Sequence, residues 1–351
     1  MKVVYTPEHL AHDPEHEFSN GQIIGIYERP VRAEEIRAAL EADADFELVA
    51  PRAHGLDPIL AVHDQGLVAY LEVAWREYHA ELPAVREAFA DSYLHPALRE
   101  GMGPTRAPAT AKGRIGYWGW DNATPLVEGT YAAARAAVDT ALTATSIVVD
   151  DGERVAYGLC RPPGHHAPRA AFGGYCYFNN AAIAAEHVAH QRGVKVSILD
   201  VDYHHGNGIQ QIFYDRPDVQ YVSLHGDPDR AYPYFIGYAD EKGAGKGLGT
   251  TLNLPLPEKT DDAAYAAAID RALDALDRFN PALVIISLGV DTYNQDPIGD
   301  FALTGDSYSA AGAAVAALGR PTVVVQEGGY YVPALGANVR AWLRGVAGLP
   351  A

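Results

Sequence analysis

The sequence predicts an α/β fold: a mostly parallel sheet with helices covering both faces. Three observations lead there. Short, predominantly apolar runs at 194–199, 283–288 and 322–326 are too short for helices and too uniform for half-exposed strands, so they read as strands buried on both faces. Stretches with helical spacing alternate with those runs. Residues able to do chemistry cluster just after the strands, and in such sheets ligands bind beyond the carboxyl ends.

The elements follow in order. Residues 2–5 form a short strand and 9–22 a polar loop. Helical spacing appears at 32–40 and again at 66–82, where Leu67, Tyr70, Leu71 and Ala74 share one stripe. His63, just before that helix, reads as a packing or capping residue. From 90 to 125 the pattern breaks into a long loop rich in Gly, Pro and aromatics, including Tyr117, Trp118 and Trp120. Loops of that length are functional or disordered more often than not. The aromatics argue for order, packed on a partner subunit, at a substrate mouth, or on the domain itself. A helix at 127–145, a strand at 154–161, a helix at 179–192 and the strand at 194–199 come next. Then follow a helix at 209–214, a strand at 219–225 and a Gly/Pro/aromatic loop over 226–249. A helix at 261–279, a strand at 283–288, a helix at 307–318, a strand at 322–326 and a helix at 333–347 complete the chain.

No linker, charge block or repeat divides the 351 residues, which predicts one domain. The net charge of -18 argues against nucleic acid or an anionic membrane as partner and suits a cationic ligand. Only two cysteines occur, Cys160 and Cys176, which argues for a reducing compartment and against a disulfide framework. The start has no signal-peptide core, and no apolar run is read as long enough to span a membrane. A soluble cytoplasmic protein is expected.

The richest stretch is Ile198 to Gly208, Ile-Leu-Asp-Val-Asp-Tyr-His-His-Gly-Asn-Gly, an apolar strand running into a glycine-rich turn. Strand alternation places Asp200, Asp202 and, if the strand continues, His204 on one face. Unpaired charge against a core is costly, so such a group calls for a cation. The rival reading has the two acids capping the next helix. Asp202, His204 and Asp291 would give three ligands and leave positions open, as in a catalytic metal site. Zinc is the default, with Fe(II), Mn or Co also compatible, and such an ion can bring the pKa of bound water towards ~7 and polarise a carbonyl. His165-His166, after the rigid Pro162-Pro163-Gly164, can move the proton from water to a leaving amine. Asp200 and Asn207 are candidates to orient that base. Tyr330, after Gly328-Gly329, can donate to an oxyanion. The segments 172–175 and 232–235 can line a narrow apolar channel, with core or lid packing as the rival for each.

At these residues the sequence resembles the zinc-dependent histone deacetylase superfamily, and within it the bacterial acetylpolyamine amidohydrolases. The resemblance rests on Cys160-Arg-Pro-Pro-Gly-His-His166, Phe172-Gly-Gly-Tyr-Cys-Tyr-Phe-Asn-Asn180, Leu199-Asp-Val-Asp-Tyr-His-His-Gly-Asn-Gly208, Val222-Ser-Leu-His-Gly226, Ser287-Leu-Gly-Val-Asp291 and Glu327-Gly-Gly-Tyr330. Pro30-Val-Arg32 and His63 fit the first half. The resemblance implies one α/β domain with an eight-stranded, largely parallel sheet, the arginase/deacetylase fold. It implies zinc, one per subunit, on Asp202, His204 and Asp291; His166 as base and acid; His165 as its electrostatic partner; and Tyr330 as oxyanion donor. It further implies that the Gly174 carbonyl accepts the substrate amide N–H and that Tyr175 and Tyr232 flank the tunnel. Structural potassium is implied near Asp200, Asp202, His204, Ser223 and Leu224, with a second monovalent site near Phe213, Arg216 and Val219.

In the acetylpolyamine branch an extended loop pairs two subunits and narrows the mouth, where acids meet the distal ammonium of the substrate. The 90–125 loop looks like that insertion, which implies a homodimer. Glu17 matches one of the acids. This chain departs at Ala123, where a related loop carries a glutamate, and offers Asp121 nearby; Lys112 also replaces an acid. The expected activity is hydrolysis of small cationic N-acetylated amines. Rival readings are an acetyl-lysine protein deacetylase, an arginase-like dinuclear manganese enzyme and a catalytically silent metal-binding scaffold.

Overall fold

In the computed structural model, which describes residues 1–350, one sheet of eight strands organises the chain. The strands are β1 (Lys2–Val4), β4 (Glu47–Val49), β5 (Val155–Gly158), β6 (Val196–Asp200), β7 (Val219–Gly226), β8 (Thr251–Leu256), β9 (Leu283–Leu288) and β10 (Thr322–Gln326). A separate antiparallel hairpin contains β2 (His16–Ser19) and β3 (Gln22–Gly25). The order across the large sheet is β4-β1-β5-β10-β9-β6-β7-β8, and every pairing is parallel. Because all strands point one way, all their carboxyl ends open on the same edge. β5, β10, β9 and β6 are consecutive neighbours in that order, so the segments following them meet at the centre.

The strands are apolar on both faces because both faces are covered. In β9, Leu283 and Ile285 enter one core and Val284, Ile286 and Leu288 the other; Val323 and Val325 oppose Val324 in β10 in the same way. Each such side chain contributes about 1.5–3 kcal/mol on full burial. One face carries α3 (Gln65–Glu81), α5 (Thr130–Val149) and α6 (Asn180–Arg192). The opposite face carries α1 (Pro30–Glu41), α8 (Asp262–Phe279), α9 (Gly305–Ala317) and α10 (Val332–Ala347). The shorter α2 (Asp57–Val62), α4 (Ala111–Trp118) and α7 (Asn207–Phe213) complete the set.

Four expectations are corrected. The 9–22 segment is no simple loop, since it holds β2, and Asn20-Gly21 makes the turn with both residues at positive φ. The 90–125 stretch contains the eight-residue helix α4, capped when the Thr110 hydroxyl accepts from Gly113 N–H. β4, β8 and α2 are further elements that the sequence reading leaves out. Finally, α5 is long and apolar enough to cross a membrane, with 20 residues at a mean hydropathy of 1.3, yet 78% of that window is buried inside the chain's own core.

Candidate metal centre and active-site cavity

β6 ends at Asp200, so Asp202 and His204 lie in the turn beyond it and not on a shared strand face. The turn still brings them together. Asp202, His204 and Asp291, which follows β9, are buried and present ligand atoms within 4.8 Å of one another. His204 Nδ1 lies 2.9 Å from Asp291 Oδ2 and 3.3 Å from Asp202 Oδ1. Gly328 N–H donates to Asp202 Oδ2 at 2.8 Å, and Tyr203 N–H to Asp291 Oδ1 at 2.8 Å. Glycines leave the carboxylates their room: a Cβ on Gly289 would stand 2.0 Å from Asp202 Oδ2, and one on Gly328 would stand 2.5 Å from Asp291 Oδ2. Burial, then the neighbouring Asp202 charge, pushes Asp291 up to about 7. Two buried carboxylates and an imidazole around one point need a positive charge, which a divalent cation fits.

The turn after β5 supplies the histidines. Glu327, at the end of β10, accepts the N–H groups of Gly164 at 2.7 Å and His165 at 3.1 Å and so fixes that turn. The two candidate orienting partners divide between the rings: His165 Nδ1 faces Asp200 Oδ2 at 3.1 Å, and His166 Nδ1 faces Asn207 Oδ1 at 2.7 Å. The ring centroids are 4.0 Å apart. Burial lowers the His166 pKa well below its ordinary value, helped by His165 and His204. Burial opposes charge on His165 too, but Asp202 and Asp200 outweigh it and lift that pKa to about 10.

His166, His204, Gly174, Tyr175, Tyr232 and Tyr330 line one cavity of about 540 Å³, together with Glu17, Asp121 and Asp300. Tyr232 stacks on Trp120 at 5.4 Å and stands edge-on to His166 at 5.1 Å. Gly174 packs so close to His166 that a Cβ there would lie 2.4 Å from the imidazole. Asp121 joins these walls. Its Oδ2 accepts from Gly174 N–H at 2.6 Å and from the Tyr232 hydroxyl at 2.5 Å, while Oδ1 accepts from the Thr124 hydroxyl at 2.8 Å and Ala123 N–H at 3.2 Å. Glu17 accepts from the Tyr175 hydroxyl at 2.6 Å and Tyr27 N–H at 3.3 Å, and burial pushes its pKa up to about 7.

Several residues to which the sequence reading gives no role in the site hold these groups in place. Asp296 accepts the N–H of Tyr330 at 2.7 Å. The Arg32 guanidinium lies 4.4 Å from the centre of the Tyr330 ring and donates to the carbonyls of Gly329 and Glu327. His63 accepts Asn179 N–H at 2.9 Å while its other nitrogen meets the Pro168 carbonyl. Their signal was present, since Asp296 and Glu327 sit in the segments after β9 and β10, but nothing in a linear pattern says which backbone amide a buried carboxylate holds. Among the positions expected near potassium, Asp200 and Ser223 face each other in register across β6 and β7. Phe213, Arg216 and Val219 bridge α7 and β7, with Arg216 N–H donating to the Phe213 carbonyl.

The profile of the histone deacetylase domain matches residues 26–346. The chain is 42% identical over 348 residues to an acetylpolyamine amidohydrolase of Mycoplana ramosa, covering 99% of this chain and 100% of the relative. Its structure is similar to the crystal structure of an acetylpolyamine aminohydrolase from Burkholderia pseudomallei, with TM-score 0.92, 41% identity and full coverage of both chains. The HDA15 HD domain is similar at TM-score 0.79 and 27% identity, covering 99% of this chain and 91% of that one.

Proposed function

The chain belongs to the histone deacetylase family, and from that premise we propose that it hydrolyses the acetamide of small cationic N-acetylated amines, acetylpolyamines such as acetylputrescine, acetylcadaverine and acetylspermidine, to acetate and free amine. The observation that carries this reading is the meeting of the Asp202/His204/Asp291 cluster, the His165-His166 pair and Tyr330 at one acid-lined cavity.

Asp202, His204 and Asp291 would hold the metal, zinc by default with Fe(II), Mn or Co as alternatives. A bound divalent ion supplies Lewis acidity, polarising the amide carbonyl and acidifying a water. His166, with Nδ1 turned to Asn207, presents Nε2 for proton transfer from the attacking water to the leaving nitrogen, work worth about 10²–10⁴-fold. His165, held by Asp200, backs it. The Tyr330 hydroxyl donates to the developing oxyanion, and the Gly174 carbonyl accepts the substrate amide N–H. Tyr175 and Tyr232 flank the acyl-bearing stem.

Potassium near Asp200, Asp202, His204, Ser223 and Leu224, and a second monovalent ion near Phe213, Arg216 and Val219, belong to this reading as structural ions. So does a homodimer through the 90–125 segment, which exposes Leu94, Leu98 and Met102. The buried free thiols of Cys160 and Cys176 support a reducing, cytoplasmic setting. The deciding experiment compares kcat/KM of zinc-loaded enzyme on acetylputrescine, acetylcadaverine, acetylspermidine and an acetyl-lysine peptide. Preference for the free amines is expected; preference for the peptide would make the chain a lysine deacetylase.

A further inference from the structure

Gly173 and Cys176 close a two-residue turn in the wall of the cavity, the N–H of each donating to the other's carbonyl at 3.0 Å. The central residues, Gly174 and Tyr175, both have positive φ, +61° and +65°, the pattern of a type I′ turn. A glycine followed by another residue suits the type II′ form instead, in which the glycine alone needs positive φ. The two forms differ by turning over the peptide between the central residues, which exchanges the directions of the Gly174 carbonyl and the Tyr175 N–H. Tyr175 thus sits in a left-handed conformation that its side chain disfavours, and its surroundings must hold it there.

Thr124 supplies the hold. It is 3% exposed, and its hydroxyl accepts the Tyr175 N–H at 2.9 Å while donating to Asp121 Oδ1 at 2.8 Å. A hydroxyl has one hydrogen to give, so the bond to the carboxylate leaves Thr124 an acceptor towards Tyr175. Asp121 Oδ2 takes the Gly174 N–H at 2.6 Å, which ties the preceding peptide to the same pair of side chains. The Gly174 carbonyl meets the Cys176 thiol at 3.2 Å, a weak donor, and keeps a second lone pair. Gly174 itself lines the cavity beside His166.

We infer that Thr124 is a positioning residue: it decides which way the 174–175 peptide faces and so gives the site a preference for amides over esters. With the peptide as held, the Gly174 carbonyl accepts an amide N–H; turned over, the peptide would set one N–H against another. An ester has no hydrogen at that position and gains nothing from the carbonyl. The inference rests on the acetylated-amine reading above, in which Gly174 meets the scissile amide.

The test pairs acetylcadaverine with its ester counterpart, 5-aminopentyl acetate, on zinc-loaded wild type, Thr124→Val and Thr124→Ser. Val keeps the shape but cannot accept the N–H; Ser keeps the hydroxyl. In Thr124→Val, kcat/KM for the amide should fall about tenfold or more, the effect of one hydrogen bond, while that for the ester moves by less than about twofold. Thr124→Ser should keep the wild-type amide-to-ester ratio. Exchange of the Tyr175 amide hydrogen, read by NMR without reference to turnover, should quicken about tenfold in Thr124→Val. Parallel losses on the two substrates, or an unchanged exchange rate, would overturn the inference. Should Thr124→Val fail to fold, Thr124→Ala is put through the same two measurements and judged in the same way. If wild type does not hydrolyse acetylcadaverine, the acetylated-amine reading fails and the inference falls with it. If wild type does and Thr124→Val keeps the wild-type ratio, the inference alone fails.

Discussion

Gly328→Ala isolates how tightly the carboxylates of the metal centre are held. Its Cβ would stand 2.5 Å from Asp291 Oδ2 and 2.6 Å from Asp202 Oδ2, where real contacts essentially never fall below 3.0 Å. The two ligand oxygens must therefore retreat by about 0.5 and 0.4 Å at the least, in opposition to the Gly328 N–H bond that holds Asp202. Gly328 is not among the glycines with positive φ, so the substitution adds no backbone strain, whereas neighbouring Gly329, at φ +116°, would confound the test. Functional constellations tolerate errors of about 0.5 Å, and disturbing the groups that orient ligands costs about 10–100-fold in metal affinity, or about 1.4–2.7 kcal/mol. The assay is the zinc dissociation constant by chelator competition, with melting temperature of the chelator-treated protein as control for general packing damage. Zinc affinity within about twofold of wild type would refute the argument that these glycines size the centre.

Three further outcomes are expected. His166→Ala and Tyr330→Phe should keep metal content but lose most turnover, by about 10²-fold or more; near wild-type kcat in either variant would remove its assigned role. Asp121→Asn places an amide against donors on one side of a fully committed carboxylate, so kcat on charged and neutral amides alike should fall about tenfold or more; an unchanged kcat would mean that Asp121 does not set the walls it joins. Glu17 has its folded pKa raised from 4.5 to about 7 by burial. The folded state then binds more protons than the unfolded chain, so stability falls as pH rises from about 4.5 to about 7 and levels off above. Glu17→Gln should remove that loss and exceed wild type by about 1–3 kcal/mol at pH 8 but by little at pH 4.5, as read by urea denaturation; equal gains at both pH values would contradict the shift.

The central strands were legible because burial on both faces leaves a continuous apolar signature, as in Leu283–Leu288. The cluster of Asp202, His204 and Asp291 and the histidine pair were legible as a candidate site because polar residues buried at the ends of such strands are expensive unless they are paired or hold a ligand. β2 and β3 escaped because β2 is mostly polar and the apolar run of β3 is only Ile23-Ile24, although Asn20-Gly21 is itself a strong hairpin signal. β8 contains Pro255, which an edge strand tolerates and a central one does not. α4 was hidden by Gly113 and Gly116, poor helix formers; Gly116 is retained where a Cβ would collide with the Ser92 carbonyl. The state of Asp121 was beyond any linear reading, since its partners lie at Gly174 and Tyr232, 53 and 111 residues away.

The grip of Arg32 on the carbonyls of Glu327 and Gly329 spans 295 and 297 residues. During synthesis from the amino terminus, that guanidinium is made early and its acceptors nearly last. Until β10 threads between β5 and β9, the nascent chain has neither the Gly328 amide that steadies Asp202 nor Tyr330. The centre is thus a checkpoint on completeness: a chain cut short before the end of β10 at Gln326 acquires the amino-terminal half of the pocket but no working one.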